Sequence, residues 1–122
     1  MTCSQLCCLM EIKHLSEKTP GVASVSLSKS LKLSKPSVHR LLRGLKDMGL
    51  IEKEYYGEAS LTSEGNALAE KMNRRIDALI PKLDGAIVKH EHAYNAALVL
   101  LSGLEEEKFC CFSEYIGEER TL

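Results

Sequence analysis

Residues 33–49 read LSKPSVHRLLRGLKDMG and combine two patterns in one short segment. Apolar residues recur there at the three- and four-residue spacing of a buried helical stripe, namely Val38, Leu41, Leu42, Leu45 and Met48. The remaining positions hold four Lys or Arg and only one acid. The segment therefore predicts a helix over residues 34–48 with an apolar back and a basic front.

End signals lie on both sides of this basic helix. Ser34 is suited to cap its N-terminus, Pro36 is tolerated in the first turn, and Gly49 is a stop signal. A hydroxyl cap and a glycine stop in this order fix the helix ends independently of the apolar spacing.

Two more helices are predicted before it. Residues 4–18 form the first, which stops at a Thr-Pro-Gly breaker. Ser26 is expected to cap a short second helix that carries Leu27 and Leu31 inward. Because only a tight turn separates this second helix from the basic helix, the order predicts a helix-turn-helix.

The periodicity changes after Gly49. Residues 50–55 read like a strand, residues 56–58 like a turn, and residues 59–61 like a short return strand. A hairpin that follows a helix-turn-helix is a wing, so we predict a wing at residues 50–61.

The rest of the chain is predicted to be helical. Thr62 offers a cap for a long helix, which Pro81 is expected to interrupt or kink. Residues 82–101 resume with helical character, and residues 96–101 are apolar around the full circumference, which requires cover on every side. A last helix is predicted over residues 105–117.

The predicted fold is mainly α with a small β-hairpin. It comprises a winged helix-turn-helix DNA-binding domain at 1–72, whose first helix also contributes to a dimer, and a helical dimerisation region at 73–122. A single winged helix gains affinity and site length by pairing on a palindromic operator, which also argues for a homodimer. The residues expected at the dimer interface are Leu6, Leu9, Leu98, Leu101, Phe109 and Phe112.

The charges point to double-stranded DNA as a partner. The net charge is only -1, but residues 29–46 hold six Lys or Arg and no acid, whereas residues 105–119 hold six Glu. Arg and Lys on a helix in the major groove reach phosphates or guanine acceptors, while Ser and His can read base edges. The candidate DNA-binding residues are Lys29, Lys32, Ser34, Lys35, Pro36, Ser37, His39, Arg40, Arg43 and Lys53.

Gly44 flanks this basic face, where the lack of a side chain would permit close approach to DNA. The alternative is that the charges merely solvate an amphipathic helix. The order of modules, a tight turn, a basic helix, a hairpin and a long helix, favours DNA binding.

Several classes are disfavoured. No apolar run approaches the roughly 18 residues of a membrane span, and the N-terminus lacks the pattern of a signal peptide, so we expect a cytoplasmic protein without a membrane partner. The sequence has no Gly-rich phosphate loop, nucleophile elbow or HExxH, so we do not expect an enzyme.

Three short motifs within residues 26–72 carry a family resemblance: SKPSV at 34–38, GLI at 49–51 and LTSEG at 61–65. The segment resembles the winged-helix domain of the iron-dependent repressor family, the diphtheria-toxin-repressor and manganese-repressor group. The MarR family shares the GLI and LT-x-x-G elements, and residues 100–116 are similar to its closing helix. The resemblance implies a homodimeric repressor.

The repressor resemblance also implies a regulatory transition metal, Mn, Fe or Zn. Cys7 falls where that family places a first-helix ligand, and Glu91 with His92 resembles the Glu-His pair of a later helix. The chain departs from the pattern at Ile76 and Val88, where the family has a His and a Glu or Cys.

A metal site of its own design is a separate hypothesis. His90 and His92 lie about 200° apart on a helix, so another element would have to complete the site. Cys3 and Cys7 share a helix face, and thiolates with an imidazole and a carboxylate suit zinc. The candidate metal residues are Cys7, His90, Glu91 and His92; buried structural cysteines and surface histidines are the alternative.

Two other functions stay open. A MarR-type regulator would respond to a small molecule, or to thiol oxidation at Cys7, Cys8, Cys110 and Cys111. The five cysteines are odd in number and lack CxxC spacing, so reduced thiols are expected. A winged-helix module for protein interaction is the second alternative.

Overall fold

A computed structural model describes residues 1–53, 57–84 and 92–103. The chain divides into two compact units, an N-terminal unit of Ser4–Ala69 and a C-terminal unit of Met1–Cys3 with Glu70–Leu122. The predicted domain boundary after residue 72 stays a prediction.

Five helices and three short strands follow one another along the described residues. They are α1 (Cys3–Ser16), β1 (Val22–Ala23), α2 (Ser24–Leu31), α3 (Lys35–Asp47), β2 (Ile51–Lys53), β3 (Glu58–Leu61), α4 (Ser63–Leu83) and α5 (Ala93–Gly103). The order confirms the predicted mainly α fold with a small β-hairpin and a winged helix-turn-helix.

The sheet is antiparallel and has the order β1-β3-β2. Ile51 pairs with Leu61 and Lys53 with Ala59, which gives the wing its hairpin register. On the other side of β3, Val22 pairs with Ala59. The sequence analysis missed β1, because two residues are too few to show an alternating pattern.

The core of the N-terminal unit receives apolar side chains from every helix in it. Its fully buried side chains include Leu6, Leu9, Ile12, Leu27, Val38, Leu42 and Leu45. For α3, this confirms that Val38, Leu42 and Leu45 form the buried stripe, with Leu41 half-buried beside them. The inclusion of Met48 was wrong: it is 42% exposed, because it lies beyond the last turn as the C-cap residue of α3.

The predicted ends of α3 are confirmed. Ser34 is the N-cap and its side chain accepts a hydrogen bond from the Ser37 N–H, while Pro36 lies in the first turn. Gly49 follows the C-cap with φ +76, a left-handed conformation that glycine adopts without strain. The expected cap of α2 was wrong: the N-cap residue is Ala23, without a side-chain bond, and Ser26 lies inside the helix.

The C-terminal unit contains most of the long helix and α5. Helix α4 continues through Pro81 to Leu83 rather than being interrupted there. Ile76, Leu79 and Leu83 of α4 are buried. In α5, Ala93, Ala97, Leu98 and Leu101 are buried, whereas Val99 is 61% exposed, so the described chain does not cover this apolar helix on every side.

None of the helices within the described ranges is both long enough and apolar enough to span a bilayer. The last predicted helix, 105–117, and the part of the predicted wing at 54–56 lie outside the described residues.

Candidate nucleic-acid interface

Helix α3 separates an apolar back from a cationic front. Val38, Leu42 and Leu45 are buried in the N-terminal unit. The opposite side of α3 is solvent-exposed and carries Lys35, His39, Arg40, Arg43 and Lys46. Because the buried stripe fixes the rotation of the helix, the basic side chains are held outward together.

A chain of hydroxyl contacts organises the start of α3. Ser34 Oγ accepts from the backbone N–H of Ser37 at 3.3 Å and donates to Ser37 Oγ at 2.9 Å. Arg40 Nη2 in turn donates to Ser37 Oγ at 3.4 Å. One N–H of the Arg40 guanidinium is thus held on the helix, which orients a group that carries five N–H donors.

The turn between α2 and α3 is tight and uses an unusual backbone conformation. Lys32 caps α2 with φ 56 and ψ 44, in the left-handed region that favours glycine. The N–H of Leu33 donates to Ser28 O at 3.1 Å, and Ser28 Oγ donates to Leu33 O at 2.5 Å. These bonds fix the turn, in which Lys32 is exposed, and Lys29 is exposed in the last turn of α2 beside it.

The base of the wing is tied to the end of α3 and the start of α4. Thr62 Oγ1 donates to Gly49 O at 2.7 Å and accepts from the Gly65 N–H at 3.0 Å, while the Thr62 N–H donates to Leu50 O at 3.1 Å. This confirms Thr62 as the cap of α4. It also explains two of the quoted motifs, since GLI and LTSEG contact each other through these bonds.

Lys53 connects the wing to α3. Its Nζ lies 3.3 Å from His39 Nδ1. Both residues were predicted to bind DNA from separate elements, and the fold brings them together. Lys46 belongs to the same face and was not among the predicted DNA-binding residues, although its place within the basic run 29–46 was the signal that could have identified it.

The expectation for Gly44 was wrong. A Cβ placed on Gly44 would lie 2.7 Å from Gln5 Nε2, so this glycine faces α1 rather than the exposed cationic surface. Its lack of a side chain leaves room for the end of the Gln5 side chain from α1.

The candidate metal residues are only partly described. Cys7 is half-buried in the N-terminal unit, His92 is exposed in the C-terminal unit, and His90 and Glu91 lie outside the described residues. Among the described residues no three or more His, Cys, Asp or Glu come together in a group that could hold a metal ion. The four-residue metal site stays a prediction.

The cysteines of α1 differ in their surroundings. Cys3, Cys7 and Cys8 carry reduced thiols, and Cys8 is fully buried. Burial, together with the nearby Cys7 and Glu11, raises the pKa of the Cys8 thiol to about 12. Because the thiolate is the reactive form, Cys8 is unsuited to redox sensing. Cys110 and Cys111 lie outside the described residues.

The residues assigned to a dimer interface are mostly not on the surface. Leu6, Leu9, Leu98 and Leu101 are each at most 6% exposed within a single chain. Phe109 and Phe112 lie outside the described residues. The four buried leucines therefore contribute to the fold of one chain, and their assignment to a dimer interface stays a prediction.

Residues 12–54 match the family of the IclR helix-turn-helix domain. The matched segment contains all of α2, α3 and β2. It therefore includes every candidate DNA-binding residue predicted from the sequence. The chain has no significant match among curated proteins.

Solved structures share the fold at low sequence identity. A hypothetical protein from Sulfolobus solfataricus superposes with a TM-score of 0.71 at 18% identity, over 96% of this chain and 90% of that chain. IdeR from T. acidophilum gives 0.66 at 24% identity over 93% of this chain, and the manganese regulator SloR gives 0.74 at 17% over 95%. This chain covers 54% of each of the latter two proteins, about half their length. The likeness confirms a winged helix-turn-helix that resembles those of the group named from the sequence.

Proposed function

We propose that this protein is a DNA-binding transcription regulator that reads double-stranded DNA through α3 and the wing. The observation that carries the proposal is the division of α3 into a buried apolar stripe and an exposed face of cations. No carboxylate interrupts this face between Lys35 and Lys46. A helix with these properties fits the major groove, which is lined by phosphates and by acceptor atoms of guanine.

Individual residues then take different roles. Arg40 and Arg43 lie on the exposed side of α3, where guanidinium groups can donate two hydrogen bonds to one guanine. Lys29, exposed at the end of α2, and Lys32, exposed in the turn that follows, are placed to contact phosphates and set the register of α3. The family match over residues 12–54 supports DNA binding by this part of the chain, since it covers both α2 and α3.

The finer proposal is a non-enzymatic homodimeric repressor on a palindromic operator. The fold it shares with SloR, which is described as a manganese regulator, supports a metal as the candidate signal. The test for the signal is DNA binding before and after chelation of copurified metal. Binding that persists without metal would direct attention to a small-molecule effector.

DNA binding is tested by selecting bound sequences from a random duplex library and measuring Kd for the enriched site. Arg40→Gln and Arg43→Gln are each expected to weaken binding about 5- to 150-fold, since a good bidentate contact contributes about 1–3 kcal/mol of discrimination. The matched control is Lys18→Gln. It removes one exposed positive charge from the same unit, at a residue that is not among the candidate DNA-binding residues.

Retention of full affinity by both arginine variants would contradict reading through α3. No enrichment of any duplex by the wild type would contradict the regulator proposal itself, and the winged helix would then be tested as a protein-binding module.

A further inference from the structure

A cleft lies between α3 and the first strand of the wing. It has a volume of about 230 Å³ and is lined by His39, Leu42, Arg43, Lys46 and Lys53. Leu42 is buried and forms the floor, and the four polar side chains are exposed around it. No carboxylate is among these lining residues.

The hydrogen-bonding groups of the cleft are almost all donors. A lysine ammonium can only donate, so in the contact at 3.3 Å the Lys53 Nζ donates and the His39 Nδ1 accepts. In the neutral ring the proton then resides on Nε2, which becomes another donor. With the guanidinium of Arg43 and the ammonium of Lys46, the cleft presents N–H groups from two elements, and its one side-chain acceptor is already occupied.

Such a set of donors selects an anion whose oxygens only accept. Among the described residues, Arg43 and Lys46 form no ion pair that would compete for it. We propose that this cleft binds one backbone phosphate of the DNA, held between α3 and β2. Lys46 then contacts a phosphate, in addition to the DNA-binding residues predicted from the sequence.

The source of the phosphate follows from the surroundings of the cleft. This inference rests on the proposed function, because a helix in the major groove is flanked by a sugar-phosphate strand on each side, and the wing side of α3 faces one of them. Leu42 is the one apolar side chain among the described residues that line the cleft, so these residues offer little surface to hold the rest of a small phosphorylated molecule.

The experiment replaces single phosphates of the selected duplex, one position at a time, by uncharged methylphosphonate and measures Kd for the wild type, Lys46→Gln and Lys18→Gln. The wild type and Lys18→Gln are expected to lose affinity at one defined position for each bound chain, at which Lys46→Gln loses markedly less. Lys46→Gln is also expected to reduce the slope of log Kd against log salt by about 0.9 for each bound chain, without changing the selected sequence.

Equal sensitivity of Lys46→Gln and the wild type at every position would overturn the phosphate site while leaving DNA binding intact. Failure of the wild type to select any duplex is a different result, because it removes the proposed function together with this inference. Inorganic phosphate, titrated at constant ionic strength, separates the two sources: sub-millimolar binding that depends on Lys46 would assign the cleft to a free phosphate and overturn the DNA assignment.

Discussion

Two glycines of the N-terminal unit differ in what a Cβ atom added to them would meet. A Cβ on Gly65 would lie 1.8 Å from the carbonyl oxygen of Leu50 and 2.8 Å from its carbonyl carbon. Both are backbone atoms at the junction of the wing and α4, where Thr62 forms hydrogen bonds to Gly49 and Leu50. Neither atom can move without breaking these bonds. A Cβ on Gly44 would meet the flexible end of Gln5 instead. The same residue type is thus required at one position and replaceable at the other.

Gly65→Ala is expected to destabilise the protein by about 3 kcal/mol or more, in the range of severe core defects. Gly44→Ala serves as the control and is expected to change stability by no more than about 1 kcal/mol, because alanine favours the helix by about that amount while the displaced end of the Gln5 side chain gives up its present contacts. Urea denaturation of both variants measures the free energy of unfolding. Equal effects of the two substitutions would contradict the close contact assigned between Gly65 and the Leu50 backbone.

Among the elements, the bounds of the basic helix were predicted from the sequence more accurately than the contacts between elements. The basic helix was predicted accurately because the apolar spacing, the Ser34 cap and the Gly49 stop all agree on its bounds. Strand β1 was missed because its pairing with β3 is a contact between distant parts of the chain, which local pattern does not encode. Gly44 was misplaced for the same reason, since its partner Gln5 lies on another helix.

For the candidate nucleic-acid interface, the sequence likewise predicted features within one helix but not the contacts between elements. Exposed cations on α3 follow from the helix period, and they were identified. The contact between His39 and Lys53 depends on how β2 folds back beside α3, which no spacing within either element reveals. Lys46 was left out although it belongs to the basic run 29–46, and its position beside the wing is visible only once β2 is in place.

Helix capping gives a prediction at this scale. Ser34→Ala is expected to cost about 1 kcal/mol of stability, since the Ser37 N–H loses its acceptor at the start of α3. Ser34→Thr retains the oxygen and is expected to recover most of the loss. Ser26→Ala is the control: Ser26 lies inside α2 and caps nothing, so alanine is expected to stabilise slightly. Thermal unfolding followed by circular dichroism measures all three, and a larger loss for Ser26→Ala than for Ser34→Ala would contradict the assigned caps.

The whole molecule combines a net charge of -1 with a strongly uneven distribution of charge. The cations of residues 29–46 are concentrated around the helix-turn-helix, whereas residues 105–119 are acidic. Along the sequence, the first of these segments attracts phosphates and the second repels them. A net charge near zero thus does not argue against DNA binding, which is a local property of one surface.

The stoichiometry on DNA is the prediction that belongs to the whole molecule. A chain with one α3 reads a single major-groove segment, which is short for a specific operator. We therefore expect two chains per selected site, with inverted half-sites whose centres are about 10–10.5 base pairs or a multiple apart. Sedimentation of the complex gives the number of chains, and the selected sequences give the symmetry. Cutting the duplex to one half-site should weaken binding and reduce the salt slope by about half, because half of the phosphate contacts are lost. A complex of one chain on an asymmetric site, with an unchanged slope on the half-site, would show that the single N-terminal unit is the complete reader.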